Sequence, residues 1–177
     1  MKILKKFVLI PTILTLSLGM ACCTTVGERG TEPAGSPPVI TSSFASEKVS
    51  HGDIWKIYLE ANDPDGDMGY FAYSIKNSDF GGRFEYVRIR KGDRARLAGF
   101  IGVVTSPPKD ALGEWARLTL TLCIQDRSGN TSDKVTFPVA LSRGVKQVSP
   151  PPPFDIEGVK RLGQIWVELP RIPHGGR

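Results

Sequence analysis

Three aspartates stand at alternate positions in the stretch NDPDGDM at residues 62–68. Asp63, Asp65 and Asp67 supply the carboxylate oxygens that Ca²⁺ prefers, and a calcium ion requires six to eight oxygen ligands. A second polar group follows a later apolar segment and would complete such a site: Asp126, Asn130 and Asp133. Carboxylates held close together repel one another, and a cation between the two groups would relieve that repulsion. Calcium is therefore the one candidate cofactor, and it would bind between the two loops.

The same stretch also fits a tight turn that binds no metal. Pro64 fixes its own φ, Gly66 accepts a positive φ, and flanking Asp and Asn side chains hydrogen-bond to the local backbone. An EF-hand is excluded, because counting from Asp63 places Met68 where that loop needs glycine and Ser74 where it needs glutamate. The turn alone accounts for the composition, and the calcium site stays open beside it.

Residue types that carry out catalysis are scarce in this chain. Its two histidines are His51 and His174, and neither lies in the motif of a zinc site or a Ser-His-Asp triad. Cys123 has no histidine near it in the sequence, and no glycine-rich phosphate loop is present. We therefore expect that the protein is not an enzyme.

A basic group between residues 83 and 96 is a candidate binding surface. Six cationic side chains oppose only Glu85 and Asp93 there: Arg83, Arg88, Arg90, Lys91, Arg94 and Arg96. Arg88, Arg90 and Arg94 are the candidate contacts to anionic lipid headgroups or envelope polysaccharide. The alternative is a charged strand edge, which discourages pairing with another sheet edge.

Exposed aromatic rings would point to sugar stacking, and Trp115 is the candidate. It precedes the apolar strand around Leu118 in the opposite phase, which favours a solvent-facing side chain. Trp55 shares its face with Ile57 and Leu59, so we expect it in the core.

Short apolar-polar alternations separated by turn residues predict the strands that would position these groups. The predicted strands are residues 39–45, 54–61, 68–76, 84–90, 97–105, 116–124 and 135–141. No sustained helical period competes with period two, and only residues 109–114 are compatible with a helical turn. About seven strands in a hundred residues predict an all-β, antiparallel, immunoglobulin-like sandwich at residues 39–143. In such a sandwich the loops after the second and sixth strands lie at the same end.

Two segments carry a resemblance to a known group of domains. Residues 63–67, Asp-Pro-Asp-Gly-Asp, and residues 113–132, which end in an Asp-x-x-Gly-Asn turn, resemble bacterial immunoglobulin-like, PKD and cadherin-like repeats. The resemblance covers residues 39–141 and implies an extracellular binding or spacing domain, with no single activity. This chain departs from those arrays by having a single copy.

The first 23 residues resemble a bacterial lipoprotein precursor. Three lysines precede an apolar run at residues 7–21, which is shorter than the roughly 20 residues that span a bilayer. The resemblance implies a signal peptide at 1–21, acylation of Cys22 or alternatively Cys23, and a flexible tether at 22–38. The usual leucine three residues before the cysteine is absent, and an ordinary secretion signal or an uncleaved anchor are the alternatives. The net charge of +5 falls to +2 without Lys2, Lys5 and Lys6, which argues against nucleic acid as a partner.

A proline-rich extension occupies residues 144–177. The run SPPPP at 149–153 predicts polyproline geometry, and the tail after residue 170 is expected to be disordered. Residues 164–169 alternate, with Ile165, Val167 and Leu169 on one side. That segment either adds a strand to the sandwich or pairs with a partner by strand addition.

These features predict a non-catalytic lipoprotein of the bacterial cell envelope, anchored to a membrane by its acyl chains. Its immunoglobulin-like domain would bind or organise another envelope protein or a polysaccharide. The alternative function is a carbohydrate-binding or carbohydrate-active envelope protein.

Overall fold

The computed structural model describes residues 34–50, 52–77, 81–106, 116–155 and 157–168. These ranges contain nine strands: β1 (Val39–Ala45), β2 (Lys48–Ser50), β3 (Ile54–Asn62), β4 (Met68–Lys76), β5 (Glu85–Arg88), β6 (Arg96–Ser106), β7 (Ala116–Asp126), β8 (Val135–Ser142) and β9 (Arg161–Glu168). One 3-10 turn, Lys91–Asp93, lies between β5 and β6. The described ranges contain no helix with the length and apolar content needed to cross a membrane.

The strands form two sheets. Sheet A has the order β1-β3-β6-β9, and sheet B has the order β2-β8-β7-β4-β5. The prediction of an all-β sandwich is confirmed. The seven predicted strands are each present, and β2 is additional. β9 contains residues 164–168, so the alternating C-terminal segment adds a strand to the sandwich.

Two strand pairs depart from the predicted antiparallel arrangement. β2 runs parallel to β8, and β9 runs parallel to β6. The first pair arises because the chain leaves sheet A after Ala45 and joins sheet B as β2. At this crossing the indole Nε1 of Trp55 donates a hydrogen bond to the carbonyl of Ser46, at 2.8 Å.

The core follows from the period-two patterns. Trp55, Ile57 and Leu59 of β3 are fully buried and face the alternate residues of β7, Leu118 to Ile124, across the space between the sheets. Placing alternate side chains on one face of each strand lets two sheets exclude water from a single apolar layer. One cluster of buried residues spans both sheets.

The C-terminal extension is part of the sandwich. Phe154 packs on the outer face of sheet A, and β9 then adds its inward side chains Leu162, Ile165 and Val167 to the core. The carbonyl of Lys160 accepts a hydrogen bond from the amide of Phe100, at 2.9 Å. A Cβ on Gly99 would lie 2.2 Å from that carbonyl oxygen, so the close approach of the two segments requires glycine there.

The register defines two ends of the sandwich. At the loop end, Val39 pairs with Asn62 in sheet A and Met68 pairs with Asp126 in sheet B. The far end holds the start of β3 and the last residues of β4, β6 and β9. Residues 34–38 therefore lead into β1 at the loop end.

Candidate functional site

Asp63 organises the first aspartate loop from within. Asp63 is 4% exposed, and its carboxylate accepts hydrogen bonds from the amides of Asp65 (3.2 Å) and Asp67 (3.0 Å). Gly66 has a φ of 70°, in the left-handed region that favours glycine. The side chain of Asp63 therefore acts as a local acceptor for the turn.

Asp126 plays the same part in the second loop. One carboxylate oxygen accepts from the amide of Asn130 (2.8 Å), and the other accepts from the Asn130 side chain (2.7 Å). Asn130 Nδ2 also donates to the carbonyl of Ala34, at 3.0 Å. The second loop is thus joined to the segment that leads into β1.

Asp67 lies where the two loops meet, as the sandwich arrangement predicts for this end. Its carbonyl accepts from the amide of Arg127, and its Oδ2 accepts from the hydroxyl of Ser128. Its Oδ1 is buried and has no hydrogen-bond partner within the described ranges. Burial raises the pKa of Asp67, the charges of Asp126 and Asp63 raise this pKa further, and the Ser128 hydroxyl opposes the shift.

The other two predicted ligands lie apart from this contact. Asp65 is exposed and accepts a hydrogen bond from the amide of Ser36, and Asp133 is exposed after the second loop. In the described part of the chain, no three His, Cys, Asp or Glu side chains are grouped so that they could hold a metal ion. The carboxylates of Asp63 and Asp126 already accept hydrogen bonds within their own loops, and calcium stays an untested candidate ligand.

The basic candidates surround one edge of sheet B. Arg88 belongs to β5, the edge strand, and both Arg88 and Arg90 are exposed. Arg94 is half-buried, and its Nε has no hydrogen-bond partner within the described ranges. The backbone of this segment pairs with the aspartate loop, since the carbonyls of Arg94 and Ala95 accept from Met68 and Asp63. A cationic edge beside acidic loops fits the charged-edge interpretation.

Several predicted positions fall outside the described residues. They are Cys22, Cys23, His51, Trp115, His174, the possible helical turn at 109–114 and the tail after residue 170. Cys123 is described and buried, and burial raises the pKa of its thiol although the charge of Lys134 opposes this shift.

An open recess of about 390 Å³ lies on the side of the sandwich between the edge strands β5 and β9. Its lining combines apolar, aromatic and charged groups: Tyr73, Ile75, Gly81, Arg83, Glu85, Trp166 and Val167. Trp166 is 68% exposed. The hydroxyl of Tyr73 donates to Glu85 Oε2, at 2.7 Å. Burial raises the pKa of Tyr73, and the Glu85 carboxylate raises it further.

A second recess, of about 420 Å³, lies on the outer face of sheet A under the proline-rich extension. Tyr58 packs against Phe44, Phe100 and Phe154, with ring centroids 5.6 to 6.3 Å apart. The ammonium group of Lys56 lies 5.2 Å from the Phe100 ring centroid. Phe154 is buried here, so this recess is formed mainly by the packing of the C-terminal extension on sheet A.

Trp166 is the functional candidate that the sequence reasoning missed. The alternation of Ile165, Val167 and Leu169 already places Trp166 on the opposite face of that segment. The alternation does not say whether this opposite face contacts solvent or another strand. That depends on the position of β9 at the edge of sheet A.

Comparisons with known proteins give similarity at the level of structure. No family model matches the sequence, and no curated protein matches it. Among solved structures, the chain is similar to a PKD domain of an M14-like peptidase from Thermoplasmatales archaeon SCGC AB-540-F20. The TM-score is 0.38 and the identity 16%, over 62% of this chain and 100% of that chain. The all-β description of this chain rests on its own strands and their pairing.

Proposed function

We propose that this protein is a non-catalytic binding domain held at a bacterial membrane surface by acyl chains on Cys22. The precursor-like first 23 residues motivate the anchor, and the two packed sheets provide a folded domain with an open recess between β5 and β9. Several buried acyl chains hold a soluble domain at a membrane, whereas a single chain binds weakly and reversibly.

The observation that carries the binding role is the position of the recess relative to the tether. Residues 34–36 contact the aspartate loops at the loop end. The recess is lined by residues of β4, the β5 edge and the last residues of β9, toward the far end. A chain anchored through its N-terminus would thus be attached at one end of the domain while its open recess lies nearer the other.

The charges of the recess support binding over hydrolysis. Glycoside hydrolysis commonly requires two carboxyl groups flanking the bond that is cleaved. Of the described residues that line the recess, Glu85 is the one carboxylate, and Arg83 is the charged residue beside it in the lining.

Metabolic labelling tests the anchor. Bacteria that express the full chain would be grown with an alkyne analogue of palmitate and then separated into membrane and soluble fractions. We expect label and membrane association for the native sequence and for Cys23→Ser, and loss of both for Cys22→Ser. Loss of label and membrane association in Cys23→Ser alone would identify Cys23 as the acylated residue. An unlabelled native chain would overturn the proposal.

A further inference from the structure

We propose that the recess between β5 and β9 binds a neutral pyranose unit of a polysaccharide, with Trp166 as the stacking surface and Glu85 and Arg83 as hydrogen-bonding groups. This names the ligand of the binding domain proposed above, and so rests on that proposal for its place in the cell. The site requires no metal and no covalent step.

Trp166 provides the apolar contact. Its side chain is 68% exposed, whereas Trp55 is fully buried and hydrogen-bonded. The face of an indole carries negative partial charge, which attracts the weakly positive C–H groups on one face of a pyranose ring. An exposed indole at the rim of a recess is therefore suited to a flat ligand that has an apolar face and polar groups around its edge.

Glu85 and Arg83 provide the polar contacts. One oxygen of Glu85 accepts the Tyr73 hydroxyl, and a carboxylate has further lone pairs for sugar hydroxyl donors. Arg83 is exposed and brings up to five N–H donors, which hydroxyl oxygens can accept. Since the two charges are opposite, the lining favours a neutral sugar over a strongly charged one.

The size and floor of the recess fit such a ligand. Its volume of about 390 Å³ lies within the range of small-molecule sites, about 300 to 1,000 Å³. Ile75 and Val167 form an apolar floor and are less than a tenth exposed.

The outer face of sheet A offers room for further sugar units. Ile54, Val104 and Trp166 are register neighbours across β3, β6 and β9. Ile54 is 41% exposed, so an apolar row continues from the rim of the recess. A polysaccharide bound at Trp166 would extend along this row.

Strand addition to β9 is the competing explanation of an open sheet edge. β5 packs against the face of β9 at Gly163, because a Cβ there would lie 2.8 Å from Cγ1 of Val87. Strand addition would use the backbone N–H and C=O groups along the edge of β9 and would not require Trp166, Glu85 or Arg83. The exposed indole and the two charged side chains around the recess therefore favour a sugar.

Titration of the ¹⁵N-labelled full chain in detergent micelles tests the site, with cellohexaose and chitohexaose as probes. The chain has three tryptophans, and the indole signal missing in Trp166→Ala identifies Trp166. We expect this signal to shift with at least one probe. Trp166→Ala should weaken binding at least tenfold and Glu85→Gln at least threefold. Tyr86→Ala is the matched control, since Tyr86 is 59% exposed on the outer face of sheet B, and it should leave binding within twofold.

Several outcomes would overturn the site. They are the absence of a Trp166 shift with both probes, equal loss in Tyr86→Ala, or shifts of the Gly163 and Gln164 amides without the indole, which would indicate strand addition. The titration is repeated on Cys22→Ser, so that failure of the anchor and failure of the sugar site are observed separately.

Discussion

The ring of Phe154 packs on the ring of Tyr58, with centroids 5.6 Å apart. Tyr58 belongs to β3 in the middle of sheet A, and Phe154 follows the four prolines of the C-terminal extension. The contact fastens the extension across the sheet before the chain turns into β9. The proline-rich segment is therefore a structural strap between the predicted end of the domain, at residue 143, and its last strand.

Replacing Phe154 by alanine tests this strap. We expect Phe154→Ala to lower the free energy of unfolding by about 3 kcal/mol, because it removes a buried aromatic ring and leaves a cavity. Denaturant unfolding of the full chain measures the change. Val148→Ala is the control, since Val148 is 65% exposed, and its effect should stay within about 0.5 kcal/mol. Equal effects of the two changes would contradict the strap.

Gly99→Ala tests the docking of β9. A Cβ at this position would overlap the Lys160 carbonyl and lie 2.8 Å from Cγ of Leu162, so β9 must shift. We expect a loss of about 2 kcal/mol in the free energy of unfolding, as for other overpacked sites. Gly92→Ala is the matched control, because nothing lies within 4 Å of its added Cβ. A Gly99→Ala protein as stable as the Gly92→Ala protein would show that β9 is not held at this point.

Asp126→Ala tests whether the second loop is held by hydrogen bonds. The change removes the acceptors for both the amide and the side chain of Asn130, and we expect a loss of about 2 kcal/mol. Asp133→Ala is the control, because Asp133 is exposed, and it should change stability little. Denaturant unfolding of both variants provides the comparison, and similar losses would argue against the role of Asp126.

Thermal melting with millimolar calcium and with chelator tests the metal hypothesis. A cation that binds the folded state alone raises the melting temperature. Since Asp63 and Asp126 already accept backbone amides, we expect superimposable curves. A calcium-dependent rise that Asp67→Asn abolishes would establish the site between the loops instead.

The stability of Asp67→Asn relative to the native chain should depend on pH. The pKa of Asp67 in the folded protein is raised above its ordinary value of 3.8, chiefly by burial and next by the charge of Asp126. A raised pKa means that the folded state binds this proton more tightly than the unfolded state does. Proton binding by Asp67 therefore stabilises the folded state fully below pH 3.8, and this stabilisation is lost as pH rises through the raised pKa. We expect Asp67→Asn to be more stable than the native chain at pH 7, with a gain that shrinks toward pH 3.5. Denaturant unfolding at both values provides the measurement, and a loss of stability that is equal at both would contradict it.

Much of the fold could be predicted because each strand is marked by an alternation of apolar and polar residues within its own segment. The alternation in β3 and β7 fixes which side chains turn inward, since successive residues of a strand point to opposite faces. The turn chemistry of Pro64 and Gly66 likewise placed the first loop correctly between two strands. The common end of the two aspartate loops followed from the expected order of strands in a sandwich.

The sequence alone determined the period-two strands, the apolar layer between them and the polar turns, because each depends on residues adjacent in the chain. Tertiary structure decided that β9 lies parallel to β6 and that Asp67 meets Ser128. It also decided that Trp166 lines a recess with Glu85. Those relationships join segments far apart in sequence, and their geometry depends on which edges are left free once both sheets have packed.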